Sequence, residues 1–202
     1  MPAMIVGIVL AAGASSRMAR PKALLPIGSD TFVTRVVRTL AAAGLDDIVI
    51  VTGDQTEAVR SAVADAGVRA RVIENRRRAE GQLSSVLAGL AIADRPGVDA
   101  VLVHLVDIPL VRTATVAAVI EAFLASGASI VRPIAGGRHG HPVIFARRVF
   151  DELRRADPSA GARAVVHAHA RDALDVAVDD EGACRDVDTP GDYTALIGAG
   201  NT

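Results

Sequence analysis

The chain contains one cysteine, one tyrosine and no tryptophan, and Lys22 is its only lysine. A lone cysteine, Cys184, leaves no intramolecular disulfide and fits a reducing cytoplasm. Nothing beside it marks an activated nucleophile. Aromatic residues make up 2 % of the 202 positions. The core must therefore be Val, Ile, Leu and Ala, and a stacking platform for single-stranded nucleic acid is excluded. A net charge of −1 gives no long-range pull towards nucleic acid or a membrane surface. No apolar run approaches the ~20 residues that span a bilayer. The apolar start, "MIVGIVLAAGA", lacks a basic segment before it, so it is not read as a secretory signal.

Half of the residues are apolar, ample for one large core at this length. Residues 4–10 form an aliphatic, β-branched run that predicts a strand buried on both faces. Further strands are expected at 47–52, 70–74, 100–106, 128–133, 142–146 and 174–178. Helices are expected at 31–43, 55–66, 81–93 (beginning near Ser84), 113–126, 146–155 and 161–170, with a closing turn or two at 192–197. Gly44 and Gly67 read as helix stops, and Gly136 to Gly140 as a flexible turn. Alternating strands and helices predict an α/β fold with a parallel or mostly parallel sheet covered on both faces. No clean linker breaks the chain, so residues 1–202 are read as a single domain.

In open α/β sheets, ligands bind beyond the carboxyl ends of the strands. After the first strand come Ala12, Gly13, Ala14, Ser15, Ser16 and Arg17, and then Lys22. After the third comes Asn75, leading into "EGQLSSV"; after the fourth comes Asp107; and "DVDTP" (186–190) places Asp186 and Asp188 in a turn before a helix. Cations and backbone N–H groups at one strand end, with carboxylates at others, suit a magnesium–triphosphate site. Neither common phosphate loop is present: there is no GxxxxGK[ST], and Gly13 has no glycine partner at dinucleotide spacing. The residues alone thus give an anionic ligand at the first strand–loop. In a chain that otherwise draws its positive charge from arginine, one retained lysine marks a specific requirement. The run Arg76, Arg77, Arg78 reads as a solvated loop.

Residues 8–26 resemble the signature L-A-A-G-x-x-x-R-M-x-x-x-K of nucleotidyltransferases that activate a phosphorylated compound with an NTP. Leu10, Ala11, Ala12, Gly13, Arg17, Met18 and Lys22 supply it. One departure is Ala19, where the family usually has glycine. Together with "EGQLSSVLAGL" (80–90), "VDIPLV" (106–111), "GRHGHPVIF" (137–145) and "DVDTPGDY" (186–193), the chain is similar to molybdenum-cofactor nucleotidyltransferases over nearly its whole length. Reading "LAAG" rather than "LAGG", and carrying the "GHP" and "SS" elements, it is most similar to their cytidylyltransferase branch.

The resemblance implies a three-layer α/β/α Rossmann-like nucleotidyltransferase fold with a mostly parallel, mixed sheet. It implies Mg²⁺-dependent transfer of CMP from CTP to the phosphate of molybdopterin or the molybdenum cofactor, with release of pyrophosphate. Leu10 to Gly13 would then approach the triphosphate, and Arg17 and Lys22 would neutralise it. Asp107, with Asp188, would hold Mg²⁺. Ser84 and Ser85 would contact the base or ribose, and Gly140, His141 and Pro142 would line the acceptor side. Asp186 is expected to be structural. His139 and His141 lack a third ligand for zinc. The acceptor phosphate is already an anion, so no strong general base is required. Three alternatives remain at this level: GTP as donor, another phosphorylated acceptor, or a cofactor carrier that docks on an acceptor molybdoenzyme with weak catalysis.

Overall fold

A computed structural model describes residues 3–13, 18 and 20–199. The chain opens on strand β1 (Met4–Ala11) and a hairpin of two-residue strands, β2 (Pro26–Ile27) and β3 (Asp30–Thr31). Then follow α1 (Phe32–Ala42), β4 (Ile48–Thr52), α2 (Thr56–Asp65), β5 (Arg71–Glu74), α3 (Gln82–Ala93) and β6 (Val98–Leu105). The second half comprises α4 (Thr113–Ser126), β7 (Ile130–Ala135), β8 (Arg138–His139), β9 (Val143–Ala146), α5 (Phe150–Arg155), α6 (Gly161–Ala168), β10 (Ala173–Ala177) and α7 (Pro190–Ala199).

The main sheet has the order β10-β7-β9-β6-β1-β4-β5, with β8 paired to β7. All pairs along it are parallel except those of β9, which runs antiparallel to β6 and β7. This is the expected mixed, mostly parallel sheet. Its two faces follow the strand period of two. Ile5 and Val9 of β1 join Ala100 and Leu102 of β6 on the side covered by α1, α2, α4 and α7. Val6, Ile8 and Leu10 join Val101 and Val103 on the side covered by α3, α5 and α6. With both faces covered, β1 and β6 read as unbroken apolar runs, and the fold is the three-layer α/β/α arrangement expected.

The helix boundaries have local causes. Thr31 caps α1 through a reciprocal capping box with Thr34. Gly44 (φ +95°) and Gly67 (φ +64°) stand where the chain turns out of α1 and α2. Several expectations move. The hairpin β2–β3 was not expected, because two-residue strands carry no readable alternation. Helix α3 begins at Gln82, not near Ser84: Gly81, at φ +100°, starts it in a backbone conformation few other residues adopt. The stretch expected as one helix from 146 begins as a 3₁₀ turn, Arg147–Val149, and only then becomes α5. The turn at Gly136 and Gly137 is a hairpin bend that starts β8, and the closing helix is longer than a turn or two.

Close packing of α3 on β1 depends on Gly89. A Cβ there would stand 2.5 Å from Ile8 Cγ2 and 3.2 Å from Val51 Cγ2. Both methyls belong to β-branched side chains in the middle of the sheet and have nowhere to swing. Helix propensity favours alanine over glycine by about 1 kcal/mol, whereas overpacking costs about 1–3 kcal/mol. Gly89→Ala is therefore expected to lower the urea midpoint; a raised midpoint would show that the helix can back away freely.

Candidate active site

The carboxyl ends of β1, β4, β5 and β6 open into one cleft of about 820 Å³. It lies where the order departs from β1 in both directions, to β4 on one side and β6 on the other. Its floor is Leu10 to Gly13, its near wall Arg20 to Ala23, and its far wall Gly53, Asp54, Arg76, Arg78, Gly81, Gln82 and Ser85. Asp107 and Asp188 close the end beside β6.

Lys22 sits in a 3₁₀ turn, Lys22–Leu24, that Pro21 leads into. Its ammonium lies 3.5 Å from Asp107 Oδ2 and forms a short ion pair with Asp188 Oδ1. The lysine side chain is 15 % exposed, against 26 % for Asp107 and 36 % for Asp188. Burial pushes the Asp107 carboxyl above its ordinary range; Lys22 pulls it down, and neighbouring Asp188 pushes it up again. The second oxygen, Asp107 Oδ1, is buried with no hydrogen-bond partner among the described residues. A buried, unsatisfied carboxylate oxygen facing a second carboxylate suits a hard divalent cation, which takes one or two carboxylates and completes its shell with water and phosphate. Among the described residues no group of three or more His, Cys, Asp or Glu gathers to hold a metal.

The segment carrying Asp188 is also a helix start. That duty falls to its neighbours. Thr189 Oγ1 accepts the Asp192 N–H at 3.2 Å, and Asp192 Oδ2 accepts from the backbone of Thr189 at 2.8 Å and of Asp188 at 3.2 Å. The Asp188 carboxylate is thus left facing Lys22. Asp186 is exposed.

Ser84 and Ser85 differ. Ser85 is 4 % exposed and lines the cleft, whereas Ser84 turns its hydroxyl back to the Gly81 carbonyl, 2.7 Å away. Buried Asn75 donates to both hydroxyls, at 2.9 and 3.0 Å, and accepts the Arg77 N–H at 2.9 Å. It ties the end of β5 to the first turn of α3. Gly140, His141 and Pro142 are not among the residues lining the cleft. Gly140 packs against the Ala183 carbonyl and the Cys184 thiol, and His141 donates its backbone N–H to Ala183. Arg17, Ser15, Ser16 and Ala19 lie outside the described residues.

Sequence reasoning passed over Gly53 and Arg78. Arg78 crosses from the loop after β5 to form an ion pair with Asp54 in the loop after β4. It passes directly over Gly53, where a Cβ would stand 2.7 Å from Arg78 Cδ and 3.3 Å from the Ala12 carbonyl. Of three consecutive arginines, only the fold tells that Arg78 is the one that reaches across this wall to Asp54.

Behind the carboxylates, fully buried His104 on β6 points its Nε2 at the Ile108 carbonyl, 3.0 Å away, and so holds the turn that carries Asp107. The ring stands edge-on to His141, at 6.1 Å. Burial pushes His104 down to about 3, with His141 adding to the effect, and burial pushes His141 down to about 4. Both are neutral in the folded protein.

The chain belongs to the family of the MobA-like NTP transferase domain, which matches residues 7–173. Among solved structures it is similar to Rv0371c of Mycobacterium tuberculosis, at 33 % identity and a TM-score of 0.82, covering 98 % of this chain and 99 % of that one. A further structure of Rv0371c is a complex with manganese. Among curated proteins it is 34 % identical over 146 residues to the bifunctional protein GlmU of Sinorhizobium fredii, covering 71 % of this chain and 31 % of that protein. It is 39 % identical over 114 residues to the nicotine blue oxidoreductase of Paenarthrobacter nicotinovorans, covering 55 % and 53 %. The chain thus spans about a third to a half of these curated relatives.

The two histidines set a pH dependence. Unfolded, an imidazole takes a proton below about pH 6.5; folded His104 stays neutral until about pH 3. The unfolded state therefore binds more protons within that window. The histidine contribution to stability is whole above about pH 6.5 and is lost as pH falls. Asp107, raised in the fold by burial, acts in the opposite direction. His104 alone is expected to cost about 1.4 kcal/mol per pH unit below 6.5. Urea midpoints of the wild type should drop between roughly pH 7 and pH 5, and His104→Gln should flatten the slope; a wild-type midpoint constant over this range would contradict the neutral, buried pair.

Proposed function

We propose that the chain is a divalent-metal-dependent nucleotidyltransferase that transfers CMP from CTP to the phosphate of molybdopterin or the molybdenum cofactor and releases pyrophosphate. On this reading one domain over residues 1–202 does the work. The observation that carries the transfer chemistry is Lys22 between Asp107 and Asp188 at the β1/β6 end of the cleft, with Asp107 Oδ1 buried and without a hydrogen-bond partner among the described residues. The family match, and a structure of the similar Rv0371c in complex with manganese, support the metal-dependent reading. The cytidylyl branch and the molybdopterin acceptor rest on the motifs of the sequence.

When bound, Mg²⁺ held by Asp107 and Asp188 supplies positive charge to the triphosphate and to the leaving pyrophosphate. The backbone around Ala12 and Gly13 gives the phosphates N–H donors without a side chain in the way. Lys22 donates to a non-bridging oxygen of the α-phosphate, where negative charge gathers during transfer. By resemblance, Arg17 shares this neutralisation. Ser85, oriented by Asn75, faces the ribose and base. The acceptor phosphate attacks the α-phosphorus; a new P–O bond forms, the α–β bridge breaks, and pyrophosphate leaves with the bridging electron pair. No proton need be removed from the nucleophile, so catalysis is alignment and charge. A second reading is the same transfer onto another phosphorylated small molecule, since Gly140, His141 and Pro142, read as the acceptor side, do not line the cleft.

Pyrophosphate release with Mg²⁺ and each of the four NTPs, with and without molybdopterin, tests both. Release with CTP that requires the pterin is the expected result; release that requires a different phosphorylated acceptor selects the second reading. Lys22→Gln and Asp107→Asn are each expected to slow release by about 10²-fold or more. Lys22→Arg should not restore it, since a planar guanidinium cannot take the place of a compact ammonium between two carboxylates. Full turnover in Lys22→Gln and Asp107→Asn would remove these residues from the mechanism.

A further inference from the structure

Asp188 reaches the cleft on a strap, residues 178–189, between β10 and α7. Its only regular element is a 3₁₀ turn, Glu181–Cys184. The strap seats Val187 and Ala183 in the core but has no strand or long helix to carry Asp188 to its place. Its course is set by the loop between β6 and α4, residues 106–112, along which it runs antiparallel. At one end the Val187 N–H donates to the Asp107 carbonyl at 2.8 Å. In the middle Gly182 lies so close to Leu110 that a Cβ would stand 2.5 Å from the Leu110 carbonyl oxygen. At the far end sits Asp180.

Asp180 is 3 % exposed. Its Oδ2 accepts the Arg112 backbone N–H at 2.8 Å and the Thr115 hydroxyl at 2.6 Å. The Arg112 side chain adds a bond to the Asp179 carbonyl at 2.7 Å. Arg112 is the N-cap position of α4, and no side chain of that position caps the helix. Asp180, 68 residues further on, instead takes the N–H of that position together with the Thr115 hydroxyl in the first turn. Two segments are therefore fastened at both ends, and the two candidate cation ligands, Asp107 and Asp188, project from the same end of the pair.

Resting on the cation-site reading above, we propose that Asp180 is a positioning residue for that site: by clamping the strap to the start of α4 it sets Asp188 opposite Asp107. Asp180 touches neither substrate nor metal. Freed at the Asp180 end, the strap keeps the Val187 bond to Asp107 and the His141 bond to Ala183 but loses its carboxylate tie to the start of α4, and the carboxylate pair is held less firmly ready for a cation. Outer residues that orient metal ligands are worth about 10–100-fold in affinity.

The test is Mn²⁺ binding to the full chain without nucleotide, read as the loss of the free-ion signal in electron paramagnetic resonance. Asp180→Asn keeps the shape and removes the charge, and is expected to raise the Mn²⁺ Kd about tenfold. Thr115→Val, which removes one donor to the same oxygen, should raise it by a smaller factor, and carries the test if Asp180→Asn does not fold. Asp47→Asn serves as the control: it breaks a carboxylate bridge to Arg71 and Arg95 at the opposite end of the sheet, and should lower stability with the Kd unmoved. A folded Asp180→Asn, or Thr115→Val in its place, that binds Mn²⁺ as the wild type does overturns the positioning role alone. A wild-type chain that binds no Mn²⁺ overturns the cation site itself, a separate failure visible before any variant is made.

Discussion

A lysine ammonium shared by two carboxylates ties together three distant stretches of this chain. Lys22 comes from the loop after the first strand, Asp107 from the end of β6, and Asp188 from the strap before α7. Each is mostly withdrawn from water, and none would tolerate that alone. An isolated buried charge costs several kcal/mol. Two facing carboxylates repel unless a cation lies between them. The cluster therefore requires all three segments to arrive together, and the sheet order makes this possible. β1 and β6 are adjacent and parallel, so the loops that follow them leave from the same edge. The third member needs a different solution, because its segment follows β10, at the far side of the sheet.

That solution uses close glycine contacts and backbone hydrogen bonds together with the buried side chains of Val187 and Ala183. The strap lies against the loop before α4 at Gly182 and against the start of β9 at Gly140. Side chains at either position would hold the backbones apart. Ala183, fully buried, sits between them and accepts the His141 N–H at 2.8 Å. At the other end of the strap, Tyr193 donates to the Pro26 carbonyl at 2.8 Å and packs edge-on to Phe32 at 6.0 Å. The small hairpin β2–β3, the first turn of α1 and the start of α7 thus form one block next to Lys22. The elements with the least secondary structure are the ones that assemble the charged cluster.

The layers of the fold were legible in the sequence because they rest on local patterns. Unbroken β-branched runs mark β1, β4 and β6, and glycines mark the ends of α1 and α2. Lys22 and Asp107 stand out in the sequence as well: Asp107 comes two residues after β6, and a solitary lysine in an arginine-rich chain is conspicuous. What was not legible depends on partners far away in sequence. Gly140 reads as one more glycine of a loop until Ala183 is placed against it. Arg78 is one of three arginines until Asp54 and Gly53 select it. The antiparallel setting of β9 leaves no trace in a four-residue apolar strand. Asp188 was ambiguous for a different reason: a helix start and a ligand position share the same residue types. Only the bonds between Thr189 and Asp192 show that the cap is supplied without it.

The identity of the bridging cation also accounts for a composition that uses arginine almost everywhere else. Elsewhere in the molecule the arginines bridge surface carboxylates, as Arg154 does with Asp151 and Arg132 with Asp175. Such pairs gain from a planar fork that reaches along a carboxylate edge. Between Asp107 and Asp188 the geometry is different. A small, roughly spherical charge must face two carboxylates on different segments, and on the proposed reading it must yield that place to a divalent ion and turn to phosphate. An ammonium on a flexible stem can exchange partners without leaving its loop, because its three donors have no fixed plane. A guanidinium would keep its plane and fill the space the ion requires. On the proposed reading, the one lysine stands where a cation has to be compact and movable at once, conditions an ammonium meets and a guanidinium does not.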